Sequence, residues 1–210
     1  MKVKNIFILA AMSLTLASCS DLFEPADENN RGLDEIYNEP TYAQGLLGYG
    51  YAMLPYNTKS VTDIATDDAV SNDLTNSFLK MATGSWTANS DPMSRWTNGR
   101  ASIQYLNIFL QEVDKVNWAK DENARKMYCD SRKGEAYALR ALNLYYLLMN
   151  HGGWTADGKL LGVPNLTEPE TSTDDFNKPR NTFQECLDQI YSDLDEAAKL
   201  LPLDYNDLTN

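Results

Sequence analysis

RKGEAYALRALNLYYLLMNHGG, running from Arg132 to Gly153, is the stretch that decides the fold. At helical spacing Met127, Ser131, Gly134, Ala138, Ala141, Tyr145 and Leu148 share one face. The centre of that face is small and its end is bulky. A second helix can therefore approach closely at the centre, while large side chains fill the space beyond. Glycine inside a helix costs about 1 kcal/mol relative to alanine, so Gly134 is expected where a neighbour leaves no room for a side chain. Gly152 and Gly153 stop the helix.

Upstream, Asp121 caps this helix, with Ala124 and Met127 in register. Met93 to Val116 reads as a long helix with Trp96, Ile103, Leu106, Phe109, Leu110, Val113 and Val116 on one side. Gly99 interrupts it, Trp96 reads as core, and Arg100 and Gln104 as outward-pointing. A short turn around Asn117 to Lys120 joins the two helices into an antiparallel pair, which the groove of small residues is expected to hold together. Pro40 to Leu54 reads as a further helix, with Pro40 in its first turn and Tyr42, Leu46, Tyr49 and Met53 on a face. Gly45, Gly48 and Gly50 weaken it, so packing must hold it.

Downstream, Trp154 to Arg180 is a long irregular connection with a turn at Asp157-Gly158. Trp154 reads as a hydrophobic anchor, with a ligand-stacking platform as the alternative. Thr182-Phe-Gln-Glu185 is a capping box. Phe183, Leu187, Ile190, Leu194, Ala197 and Leu201 then recur at helical spacing until Pro202. The expected class is all-α, with helical repeats of tetratricopeptide type and long loops.

The pattern G-E-A-x-x-L-R-A-L-x-x-Y-x-L-x-x-x-x-G-G at 134–153 resembles the most recognisable helix of the SusD/RagB family. Those proteins are surface nutrient-binding lipoproteins of Bacteroidota, built on tetratricopeptide-like helix pairs. Y-A-Q-G-L-L-G-Y-G-Y-A-M-L at 42–54, L-x-G-V-P after the G-G helix end, and T-F-x-E-C-L-D-Q-I-Y-S-D-L-D-E-A-A-K-L-L-P at 182–202 resemble the same family. The resemblance implies that Glu135 and Arg140 are polar anchors of the fold. It also implies a glycan or oligosaccharide ligand, passed to a SusC-like TonB-dependent transporter. Family members are longer, and their later repeats supply much of the sugar site. On this reading 40–210 is an incomplete SusD-like helical domain, and some sugar contacts lie beyond residue 210.

The first 18 residues read as a lipoprotein signal peptide. Lys2 and Lys4 form its positive region and Ile6 to Leu16 its apolar region, too short for a comfortable membrane span. It ends Leu16-Ala17-Ser18-Cys19, a lipobox in which the Cys19 thiol takes the lipid. Acyl chains such as palmitate anchor by about 0.8 kcal/mol per buried CH₂. Residues 19–39 read as the tether. In the family such leaders accompany display on the cell outer membrane.

The chain has 210 residues, 43% hydrophobic, with a net charge of −12. That length and composition allow one core. The acidity argues against a nucleic-acid surface, which needs clustered Lys and Arg. Of three cysteines, Cys129 and Cys186 are expected as buried free thiols rather than a pair. His151 is the single histidine and no cysteines have ligand spacing, so no metal site, catalytic residue or cofactor is assigned. His151 reads as a charge favourable to a helix C-terminus. Acidic pairs leave a catalytic lipoprotein, such as a glycoside hydrolase accessory domain, or a bare helical scaffold as alternatives.

From Tyr56 to Pro92 periodicity is poor and Asp and Asn recur. Solvated turns and caps explain them better than calcium, because the EF-hand glycine and glutamate are missing. Trp86 stands in a polar loop. An indole face can stack on a sugar ring while amide and carboxylate groups bond the hydroxyls, so Trp86, Asn89 and Asp91 are the candidate ligand-binding residues. The alternative is that Trp86 tucks back onto the helices.

Overall fold

A computed structural model describes residues 37–55 and 62–204. The signal peptide, Cys19 and nearly all of the tether lie outside the described residues. Within them helices dominate: α1 (Pro40–Ala52), a single turn α2 (Leu79–Ala82), α3 (Trp96–Glu112), α4 (Glu122–His151) and α5 (Phe183–Leu200). The strands β1 (Gly153–Trp154) and β2 (Leu160–Leu161) form a small antiparallel ladder. Sequence alone reads this part as irregular. The ladder is closed by the expected turn, where Gly158 takes φ +78°.

The ends of the long helices are set locally. Asp121 Oδ1 accepts the Ala124 N–H at 2.9 Å, and Thr182 with Glu185 forms the full reciprocal capping box. The helix expected from Met93 begins later, at Trp96, because Asp91 Oδ1 holds the Met93 N–H at 2.8 Å in a turn. Its C-terminal end tightens into a 3₁₀ turn, Val113–Lys115. The helix expected to reach Leu54 ends at Ala52.

α4 is the centre of the packing. α3 and α5 both run antiparallel to it, and α1 covers the α3–α4 seam. Leu47, Leu106, Phe109, Val113 and Leu139 form one core; Ile103, Leu144, Leu147, Leu148 and Cys186 belong to a second. Gly134 does sit at a close approach, but the partner differs from expectation. A Cβ there would lie 2.8 Å from Leu201 Cγ and 3.2 Å from Leu200 Cβ. The small groove therefore receives the end of α5, not α3. In the α3–α4 pair the close approach is made by Gly99, whose Cβ would meet Leu147 Cγ at 2.9 Å. The glycine that interrupts the α3 pattern is thus what lets the two helices meet.

Arg140 is buried and ties four segments together. Its Nε and Nη2 donate to Asp193 on α5 at 2.8 and 2.6 Å, and Nη1 donates to Asn107 Oδ1 on α3 at 2.9 Å and to the Thr167 carbonyl at 3.2 Å. Asn107 Nδ2 donates in turn to the carbonyls of Leu166 and Glu168. Glu135 is held by Arg132 and by the Tyr51 hydroxyl. Arg100 and Gln104 do not point outward. Arg100 pairs with Glu170 at 3.2 Å, and the Gln104 amide makes two bonds to the Glu170 backbone. They clamp the connection between β2 and α5 onto α3.

Both cysteines are buried free thiols, as expected. Burial, reinforced by the Asp114 carboxylate, pushes the Cys129 thiol up to about 11. Cys186 is raised by burial and donates to the Val163 carbonyl. On α5 the apolar stripe is only partly covered: Cys186, Ile190 and Ala197 are buried, while Leu194 is exposed.

Candidate functional site

One end of the bundle gathers the C-terminal ends of α1 and α4, the N-terminal end of α3, and the polar segment that leads into α3. That segment is organised by its own short-range bonds. Asn76 Oδ1 accepts the Phe78 N–H at 2.9 Å, and the Thr83 hydroxyl donates to the Leu79 carbonyl at 2.8 Å. Gly84 supplies a left-handed turn at φ +68°. Thr87 and Ser90 then bridge across a tight turn, which Lys80 fastens to α2 through the Ser90 hydroxyl at 2.6 Å.

Trp86 lies just before that turn and is 53% exposed, so it does not tuck back onto the helices. Asn89 is exposed in the turn itself. Asp91 differs: its Oδ1 is committed to the Met93 N–H, and its role here is to shape the chain before α3. Two of the other three tryptophans depart from expectation. Trp154 is 75% exposed and anchors nothing hydrophobic. Trp96, expected in the core, is 40% exposed, edge-on to the His151 ring with the Arg100 guanidinium 5.3 Å from its own ring centre.

His151 does not act as a cation at the helix end. Burial holds its imidazole below the ordinary histidine value, and Nε2 accepts the Arg95 N–H at 3.1 Å. A protonated ring could not accept that bond. His151 thus caps the start of α3 from the end of α4, fixing the geometry of the site between them.

Where the segment meets the helices there is a cleft of about 610 Å³, whose walls include Phe78, Met93, Ser94, Arg95, Tyr146 and Asn150. Two aromatic rings, a hydroxyl, an amide and a guanidinium suit a ligand with both apolar faces and many hydroxyls. Trp86, Asn89 and Asp91 do not line it; they stand on the loop that feeds its wall at Pro92. Sequence reading missed the cleft residues. The only signal was indirect, in the two large rings Tyr145 and Tyr146 at the end of α4, of which one points into the cleft wall.

An α-helical bundle with an exposed aromatic loop and a polar–aromatic cleft at one end places the chain in the all-α, tetratricopeptide-like fold class. Within that class, residues 32–210 match the SusD-like family model described as "Starch-binding associating with outer membrane", and the chain belongs to this SusD-like family. It is 35% identical over 113 residues to the SusD-like protein P38 of Formosa agariphila, an alignment covering 52% of this chain and 21% of that one. In structure it is similar to a SusD-like protein from Bacteroides fragilis, with a TM-score of 0.65 and 20% identity over 84% of this chain. It is also similar to a candidate sugar binding protein from Bacteroides vulgatus, with a TM-score of 0.61 and 29% identity over 80% of this chain. The chain spans 33% and 38% of those two structures.

Proposed function

We propose that this protein is a surface lipoprotein that binds a glycan or oligosaccharide and delivers it to a SusC-like TonB-dependent transporter of the outer membrane. Cys19 carries the lipid anchor, residues 19–39 form the tether, and the helical domain holds the ligand without chemical change. Trp86 and Asn89 meet the sugar from the loop, and Asp91 sets the loop's geometry beside the cleft. The observation that carries this reading is the 610 Å³ cleft with its aromatic and hydrogen-bonding walls next to an exposed indole. Membership of a family of starch-binding, outer-membrane-associating proteins supports it. Incubation of the protein with insoluble glycans tests it: depletion of protein onto a glycan without new reducing ends is expected. New reducing ends would favour a hydrolase.

A further inference from the structure

We infer that the ligand of this cleft is an anionic glycan, bearing a uronate or a sulfate that Arg95 recognises; the inference rests on the glycan-binding reading above. Among the described residues lining the cleft, Arg95 carries the one formal charge, and none is a carboxylate. Its Nη2 is buried without a hydrogen-bond partner among the described residues. A guanidinium is always protonated and presents a planar fork of N–H donors that matches a carboxylate or sulfate. Leaving such a buried donor unmet is unfavourable, and most native structures avoid it.

Among the described residues Arg95 forms no ion pair, although the Asp91 carboxylate lies close enough to act on the neighbouring His151. Asp91, four residues earlier, has one carboxylate oxygen turned onto the Met93 N–H. His151, which accepts the Arg95 backbone N–H, is held toward its neutral form by burial and adds no competing cation. Phe78 and Tyr146 lower the local polarity, which strengthens any ion pair formed beside them. The whole chain carries −12 and repels polyanions at a distance. A lone cation in a cleft is then what lets an acidic sugar bind at short range. A neutral sugar would leave that guanidinium without its natural partner.

The test titrates the full-length protein calorimetrically with four hexasaccharide probes: oligogalacturonate, its methyl ester, sulfated carrageenan oligosaccharide and maltohexaose. The expected result is binding of galacturonate or of the sulfated probe over its neutral counterpart, weakening as salt rises. Which acidic probe binds tells carboxylate from sulfate. Arg95→Gln should weaken that binding roughly 10- to 100-fold with an unchanged melting temperature, and Arg95→Lys should restore part of it. Binding of the methyl ester or of maltohexaose as tight as that of both acidic probes, or unaltered affinity in Arg95→Gln, overturns the anionic assignment while glycan binding stands. No binding of any probe, neutral or acidic, overturns the glycan reading and this inference with it.

Discussion

Gly134 on α4 touches the last turn of α5 so closely that a Cβ would lie 2.8 Å from Leu201 Cγ. The Leu200 Cβ at 3.2 Å belongs to the less mobile part of its side chain, so α5 itself must shift to admit a larger residue. Gly134→Leu should therefore destabilise by overpacking, by about 1–3 kcal/mol or more, which is a fall of several degrees for a chain of this size. Ala138→Leu, one turn along the same face, falls at a half-buried position and should cost less. Thermal unfolding followed by circular dichroism checks the order. Equal melting temperatures for both variants would remove Gly134 from the helix contact.

Arg140 and Asp193 are both buried, the latter 2% exposed, and each is the other's charge partner. Arg140→Met leaves a buried carboxylate without its charge partner, still bonded by the Gln189 amide at 3.0 Å, and should cost about 3–5 kcal/mol. Adding Asp193→Leu to that variant should recover much of the loss, because the unpaired charge is then gone. Chemical denaturation of the single and double variants measures this. A double variant as unstable as the sum of the singles would mean the two residues act independently.

His151 gives the fold a pH response of defined sign. Its folded value is depressed by burial, so the unfolded chain binds the proton more readily. The stability it contributes is present above the unfolded value, near 6.5 for histidine, and is lost as pH falls through the folded value. As the single histidine, it can be followed alone. Melting temperature should fall between neutral pH and mildly acid pH, before the carboxylates titrate. His151→Gln should flatten that part of the curve, since glutamine stays neutral. A proton NMR titration giving His151 a value above the ordinary one would contradict the acceptor role.

How much of this was legible in the chain depends on range. Asp121, Thr182 and Glu185 act within one turn of their own position, so sequence spacing reveals them. Gly134 announces a close neighbour but cannot say which helix fills the space, and here it is α5 rather than α3. Arg100 and Gln104 looked solvent-facing because their partner, Glu170, lies far along the chain. Trp96 shares an apolar face with Ile103, yet it occupies the first turn of α3, where its ring stands beside His151 and Arg100 rather than in the core. The cleft joins Phe78, Ser94, Arg95, Tyr146 and Asn150 from three separated segments, so no local pattern could disclose it.

Anchoring is expected to depend on Cys19, since its thiol is the acceptor for diacylglycerol in the lipobox reading. Cells expressing Cys19→Ala should incorporate no labelled palmitate into the protein and should lose it from the outer membrane fraction. Label retained in that variant would refute the lipobox.

The claim at the centre of this account is that glycan is held at the end of the bundle shared by the Trp86 loop and the Phe78–Tyr146 cleft. The most direct measurement is isothermal titration of a bound glycan against wild type, Trp86→Ala and Phe78→Ala, with melting temperatures recorded alongside. Loss of one aromatic stacking contact is worth about 0.5–1.5 kcal/mol beyond area burial, so affinity should fall roughly 2- to 13-fold in each variant. Trp86→Ala should leave the melting temperature unchanged, because its ring is exposed. Full affinity in both variants would place the glycan elsewhere on the molecule and contradict the account.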